Sequence, residues 1–379
     1  MSCRLFVVLS LILFSIDLTA QDGGLVEVAA SDSRLTYVGR TQVSGDKVSF
    51  DWTATYFRVS FRGTYLAMKA SDTGLDYFDV WVDSDTGSEA CRKLALKGDS
   101  KTYVLVDEAD LVKIYGDDRA AIEGEHYLTV KKRTEGRQGR ATIVSFSTNG
   151  KLLPAGRLKK RQFEVIGDSY SCGYGTESNN PNDPFTGETE NSNYAYGAIL
   201  ARYFDADYVV VAHSGMGMAR NYGGSSPESH MPDKYRMTFD SAATPEWNAF
   251  ASDFHPQLSI VYLGTNDFSQ NQHPTQEDFF DSYMVMLKQI KENYGSKHPV
   301  LCVSSRYSDL LSDFVRYVVR NCGLKNVYYA GFTNAIYAGD EVGAQQHPNY
   351  AGQRKLAIGL LPYVSTITGW PLRDDDIVR

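Results

Sequence analysis

After Gly150 the sequence changes its period, and this change constrains the fold more than any other feature of the chain. Downstream of it, short apolar runs alternate with longer amphipathic stretches. Phe163-Glu164-Val165-Ile166-Gly167, Tyr208-Val209-Val210-Val211-Ala212 and the segment 258–263 read as strands buried on both faces of a parallel sheet. Segments 299–303 and 326–329 are further strands. Between them, Phe279, Tyr283, Met286/Leu287 and Ile290 recur at helical spacing within 275–294, and Gly295 is the stop. Leu310/Leu311, Phe314 and Val318 repeat the pattern before Gly323, and a last helix is predicted over 351–364. Strand–helix alternation of this kind predicts a doubly wound α/β domain with a parallel sheet, from about residue 160 to 379.

Upstream the period is that of strands alone. Segments 50–59, 77–82 and 126–130 are β-rich, and turn-like stretches such as Ser71-Asp72-Thr73-Gly74 and Asp83-Ser84-Asp85-Thr86-Gly87 punctuate them. Short spaced strands without amphipathic helices predict an all-β, jelly-roll-like sandwich over 25–150. The segment 152–161, with Pro154, Gly156 and four basic residues, is the expected linker.

The N-terminus carries its own signal. Arg4 precedes an apolar run over 5–16, then Leu18-Thr19-Ala20, the pattern of a secretory signal peptide spanning 1–20 with Gln21 as first mature residue. A secreted or periplasmic protein without a membrane span is the expectation, since no later segment reaches the ~18 apolar residues that a span needs. Of the remaining cysteines, Cys302 and Cys322 either pair or stay as buried thiols, and the states of Cys91 and Cys172 are equally open. A net charge of -8, with no Lys/Arg block longer than three residues, argues against a nucleic-acid partner. The 25 Tyr against 4 Trp suit strands and sugar-binding surfaces alike.

Ligands of an open α/β sheet bind beyond the carboxyl ends of its strands. Three predicted strands end in sequence with chemical potential. Gly167-Asp168-Ser169 can lift a serine hydroxyl to the rim where a helix begins. Ser214-Gly215-Met216-Gly217 places backbone amides beside glycine, where a ligand can approach closely. Gly264-Thr265-Asn266-Asp267 offers a side-chain amide as donor to an oxyanion. His347-Pro348-Asn349 stands before the last predicted helix, where a histidine can serve as base to a serine. Taken singly, each also suits an ordinary turn or helix cap.

Together and in this order, the four resemble blocks of the SGNH (GDSL-type) hydrolases. The fuller stretch Ser169-Tyr170-Ser171-Cys172-Gly173-Tyr174-Gly175, the segment 188–197 and the run from Ser214 to Tyr222 make the chain most similar to carbohydrate esterase family two, two-domain acetyl esterases. The resemblance implies a cofactor-free serine esterase with Ser169 as nucleophile and His347 as base. It also implies an oxyanion hole from the Ser169 and Gly215 N–H groups and Asn266, and substrate contacts at Tyr174, Tyr222 and Asp267. The implied substrate is an O-acetylated xylan, mannan or glucomannan, attacked by a monomeric enzyme. The chain departs from the SGNH pattern at Ala344, where these hydrolases usually carry an aspartate three residues before the histidine. The third member is then Asp340, Glu341, a more distant acid, or a backbone carbonyl completing a Ser–His dyad. Gln346 also replaces an aromatic residue that this family often has before the histidine. Two other readings remain: a carbohydrate-binding protein with a degenerate esterase domain, and a lipase-type acyl esterase. A metallohydrolase is disfavoured, because the seven histidines show no metal-ligand spacing.

Overall fold

The computed structural model describes residues 24–224, 229–240, 246–305, 308–331 and 339–373. The predicted signal peptide therefore lies outside the described residues.

The N-terminal part is mostly β. Its strands are β1 (Val26–Ala29), β2 (Thr36–Val38), β3 (Gln42–Ser44), β4 (Lys47–Phe50) and β5 (Tyr56–Arg62). They continue with β6 (Leu66–Val82), β7 (Arg92–Val106), β8 (Glu125–Lys132), β9 (Ala141–Thr148) and β10 (Lys151–Leu153). All ten belong to one antiparallel hydrogen-bonded sheet. The long β6 organises it: residues 66–72 pair with β9, and residues 78–82 pair with β8. Alternation along these strands sends Phe57, Val59, Phe61, Phe78, Val80 and Phe146 into one buried core. These strands form the mostly β N-terminal domain expected from the sequence. The helices α1 (Glu108–Tyr115) and α2 (Arg119–Ile122) correct the expectation of a helix-free domain. Their local signal is a capping box at Asp107 and Asp110 and a second cap at Asp118.

The C-terminal part has a five-stranded parallel sheet of order β12-β11-β13-β14-β15. Its strands are β11 (Arg161–Gly167), β12 (Ala206–Ala212), β13 (Ser259–Tyr262), β14 (Val300–Ser304) and β15 (Val327–Gly331). The helices are α3 (Ser169–Cys172), α4 (Tyr196–Phe204), α5 (Met231–Lys234), α6 (Gln276–Tyr294), α7 (Asp309–Asn321) and α8 (Tyr350–Thr368). One face of the sheet packs residues of α4 and α8 against Phe163, Val165, Tyr208 and Ile260. The other packs α6 and α7 against Ile166, Val261 and Cys302. Thr275 caps α6 by accepting the Asp278 N–H, and Asn349 caps α8 by accepting the Gly352 N–H. Pro362 lies inside α8, which continues to Thr368 rather than ending near 364. Cys91, Cys172, Cys302 and Cys322 are all free thiols, so Cys302 and Cys322 are not paired. Among the described residues no helix is long and apolar enough to cross a membrane.

The two parts share buried polar contacts. Asp207 of β12 accepts from Tyr56 at 2.7 Å and from Arg58 at 3.1 Å, both on β5. Asp79 accepts from Asn193 at 2.8 Å, and Asp51 accepts the Asp240 N–H at 2.9 Å. Removing one partner of a buried charge pair strands the other, at a cost of about 3–5 kcal/mol. The β-rich part is thus fastened to the sheet that carries the candidate site.

Candidate active site

Ser169 opens α3 directly after β11. A side chain at Gly167 would bring its Cβ within 1.9 Å of the Ser171 hydroxyl, so glycine is what lets α3 fold back against the strand end. Asp168 caps that turn, with Oδ1 accepting the Tyr170 N–H at 3.1 Å. Burial, reinforced by the charge of Asp267 nearby, pushes the Asp168 carboxyl up to about 7.

His347 enters from the loop before α8. Its Nε2 lies 2.9 Å from Ser169 Oγ, and its Nδ1 lies 2.9 Å from the Gln345 carbonyl oxygen. A carbonyl only accepts, so Nδ1 carries the hydrogen and Nε2 turns its lone pair to the serine hydroxyl. Although part of the ring reaches solvent, Tyr170 and Tyr174 pack on it at centroid distances of 5.6 and 4.2 Å. Withdrawal from water pushes the imidazole down to about 4, and the hydrogen bond to the Gln345 carbonyl offsets only part of this.

The loop that presents this carbonyl is conformationally unusual. Gln345 and Gln346 have φ of 48° and 63°, a left-handed region that side-chain-bearing residues avoid. The surroundings hold them there. The Gln345 N–H donates to Asp183 O at 3.2 Å, the Gln346 N–H donates to Pro181 O at 3.3 Å, and the Tyr174 hydroxyl donates to Gln345 Oε1 at 2.5 Å. Ala344, at the position of the usual SGNH aspartate, is buried against Gly175, whose added Cβ would stand 2.7 Å from the alanine methyl. The two acids named from the sequence lie elsewhere. Glu341 pairs with Lys355, while Asp340 takes part through its backbone carbonyl, which accepts from Asn349 Nδ2 at 2.7 Å.

The loops after β12 and β13 meet Asp168 through Asn266. Its Nδ2 donates to Met216 O at 2.8 Å and, more weakly, to Asp168 Oδ2 at 3.3 Å. Gly215 has φ of 86° and its carbonyl accepts the Tyr222 N–H at 2.8 Å. The fold therefore brings Ser169, His347 and Asn266 to the strand ends beside the glycine loop.

The three expected substrate contacts separate. Tyr222 is 62% exposed and free to meet a ligand. Tyr174 is buried between Phe185, stacked at 4.1 Å, and His347, so it packs on the histidine ring. Asp267 is fully buried, and its oxygens accept the N–H groups of Met218, Ala219 and Arg220 at 2.8, 2.6 and 2.9 Å. This corrects the expectation for Asp267: it anchors the loop and has no surface to offer a substrate. Sequence reasoning missed Phe185, and it offered a backbone carbonyl as one partner for His347 without locating it at Gln345. A carbonyl has no residue signature, and nothing local in Asp183-Pro184-Phe185 marks an aromatic column.

Known proteins share the two-part architecture. Residues 37–155 match the model of the carbohydrate esterase 2 N-terminal domain, and residues 163–360 match that of the GDSL-like lipase/acylhydrolases. Over 327 residues the chain is 29% identical to the cellulase/esterase CelE of Acetivibrio thermocellus, matching 84% of this chain but only 38% of that protein. It is 28% identical to an acetylxylan esterase / glucomannan deacetylase of Cellvibrio japonicus, covering 85% of this chain and 86% of the relative. Among solved structures, a family two carbohydrate esterase from Clostridium thermocellum in complex with cellohexaose superimposes with a TM-score of 0.79. That match has 28% identity and covers 89% of this chain and 100% of the other.

Proposed function

Because the chain belongs to the GDSL-like lipase/acylhydrolases and joins that domain to a carbohydrate esterase 2 N-terminal domain, we propose that this serine esterase removes O-acetyl groups from plant-type polysaccharides such as xylan or glucomannan. The observation that carries the reading is the 2.9 Å approach of a neutral His347 Nε2 to Ser169 Oγ. The Cellvibrio japonicus relative is named for substrates of that kind, and a cello-oligosaccharide is bound in the Clostridium thermocellum structure.

Ser169 Oγ attacks the acetyl carbonyl carbon while its proton passes to His347 Nε2. The Gln345 carbonyl keeps Nδ1 protonated and the ring oriented, in the place where a triad would have a carboxylate. The oxyanion is received by the Ser169 and Gly215 N–H groups and by Asn266, which gives up its longer bond to Asp168. Imidazolium then protonates the departing sugar oxygen. Water attacks the acetyl-serine with His347 again as base, and acetate leaves. Tyr222 is the exposed aromatic face beside this path. The segment 1–20 directs export, with Gln21 first in the mature chain.

Acetate release measured side by side on acetylated xylan, acetylated glucomannan and a long-chain lipid ester tests the substrate class. Turnover of the two polysaccharides with little on the lipid ester is the expected result. A preference for the lipid ester contradicts it, as does glycan binding with no acetate release.

A further inference from the structure

The loop after β8 reaches from the β-rich domain to the glycine loop after β12. Glu135 lies on it and is fully buried. Its Oε2 accepts the Ser214 N–H at 2.6 Å, and its Oε1 stands 2.7 Å from Arg137 Nε. Ser214 immediately precedes Gly215, whose carbonyl is fixed from the other side by the Tyr222 N–H. The Gly215 N–H thus lies between two hydrogen bonds, one of them made by the other domain. The neighbouring residue is tied in the same way. His213 Nδ1 bonds Asp240 at 2.8 Å, and the Asp240 N–H donates to Asp51 of the β-rich domain at 2.9 Å.

We propose that Glu135 is a positioning residue through which the N-terminal domain orients the oxyanion loop. This rests on the reading of Gly215 as an oxyanion donor. A backbone N–H stabilises an oxyanion only when aimed at the place where charge develops. Without a bond at Ser214, the peptide unit before Gly215 is free to rotate on a residue with left-handed φ.

Glu135 is surrounded by donors. Arg137 lies beside it, and Lys132 donates to its backbone carbonyl at 3.1 Å. Glu190, equally buried, receives the Glu135 N–H at 3.2 Å, and burial together with the charge of Glu135 pushes it well above the usual carboxylate range. The buried Cys172 thiol is likewise held neutral and points its hydrogen at Glu135 Oε2 across 3.6 Å. His213 and Asp240 complete the charged surroundings. Glu135, Cys172 and Glu190 also bring ligand-type atoms within 4.8 Å of one another, so a bound metal is the competing account of the same cluster.

The test uses full-length Glu135→Gln and Glu135→Asp on an aryl acetate, with Ser169→Ala alongside. Both Glu135 variants should lose about 10- to 100-fold in kcat with KM changed less than about threefold, as expected for a misaimed donor. Affinity for a boronic acid that forms the tetrahedral adduct should fall in parallel, while affinity for a non-reacting oligosaccharide holds. A purely structural role would not separate the two affinities. Glu135→Asp keeps a carboxyl but withdraws it from Ser214, so it carries the test if Glu135→Gln fails to fold. Unchanged kcat in a folded variant overturns the proposal, as does activity lost to a chelator and restored by Zn²⁺. If Ser169→Ala retains full turnover, the esterase reading falls first and the proposal with it.

Discussion

On the proposed base side of the site, His347 is held by neutral groups: the Gln345 carbonyl on Nδ1, and the rings of Tyr170 and Tyr174. On the proposed oxyanion side the supports are carboxyls. Asp267 gathers three backbone N–H groups, Asp168 touches Asn266, and Glu135 holds Ser214. The difference follows from what each side must do. A single imidazole needs one acceptor and a fixed tautomer, which a carbonyl supplies without adding charge. A loop of several amides needs many acceptor lone pairs in one place, which only a carboxylate concentrates. The consequence appears in the base. A carboxylate partner would raise the pKa of His347, whereas the neutral partner leaves it down at about 4.

The contrast can be attacked by substitution. Ser169→Ala removes the group common to both sides and should lower kcat on the order of 10⁵-fold or more. Asn266→Ala removes one oxyanion donor and should lower kcat about 10²- to 10³-fold with KM little changed. Asp267→Ala leaves three N–H groups without an acceptor, that of Met218 buried and those of Ala219 and Arg220 half-buried. It should cost about 3 kcal/mol or more in chemical denaturation, because each stranded donor costs about 1–3 kcal/mol. The combined Asp340→Asn, Glu341→Gln variant should change kcat less than about threefold, because the His347 Nδ1 hydrogen goes to the Gln345 carbonyl. A loss near 10⁴-fold would instead identify a triad acid.

The sheet was legible in the sequence because strands buried on both faces are continuous apolar runs, and 208–212 and 258–263 are of that kind. The helices of the hydrolase part announced themselves through Thr275, Gly295 and their apolar spacing. In the β-rich part, alternation marked strands but not their order, since β6 serves two partners along its length and no local residue encodes that. At the site, the catalytic roles of Ser169, Gly215, Asn266 and His347 remain proposals, while their positions at strand and helix ends were legible. The Gln345 carbonyl was not, because its role depends on two left-handed glutamines pinned by a loop more than 150 residues away in sequence. Asp267 was misread because a carboxylate next to Asn266 looks the same in sequence whether it meets a ligand or three amides.

The most direct test of the neutral-support account is the pH dependence of kcat/KM for an aryl acetate with the intact protein. Protonated His347 cannot act as base, so activity falls as pH drops through the pKa of the free enzyme. With that pKa lowered from 6.5 to about 4, the account predicts an acid limb near pH 4 and nearly full activity at pH 5.5. An acid limb at 6.5 or above would mean that a carboxylate stands behind His347, and would contradict it.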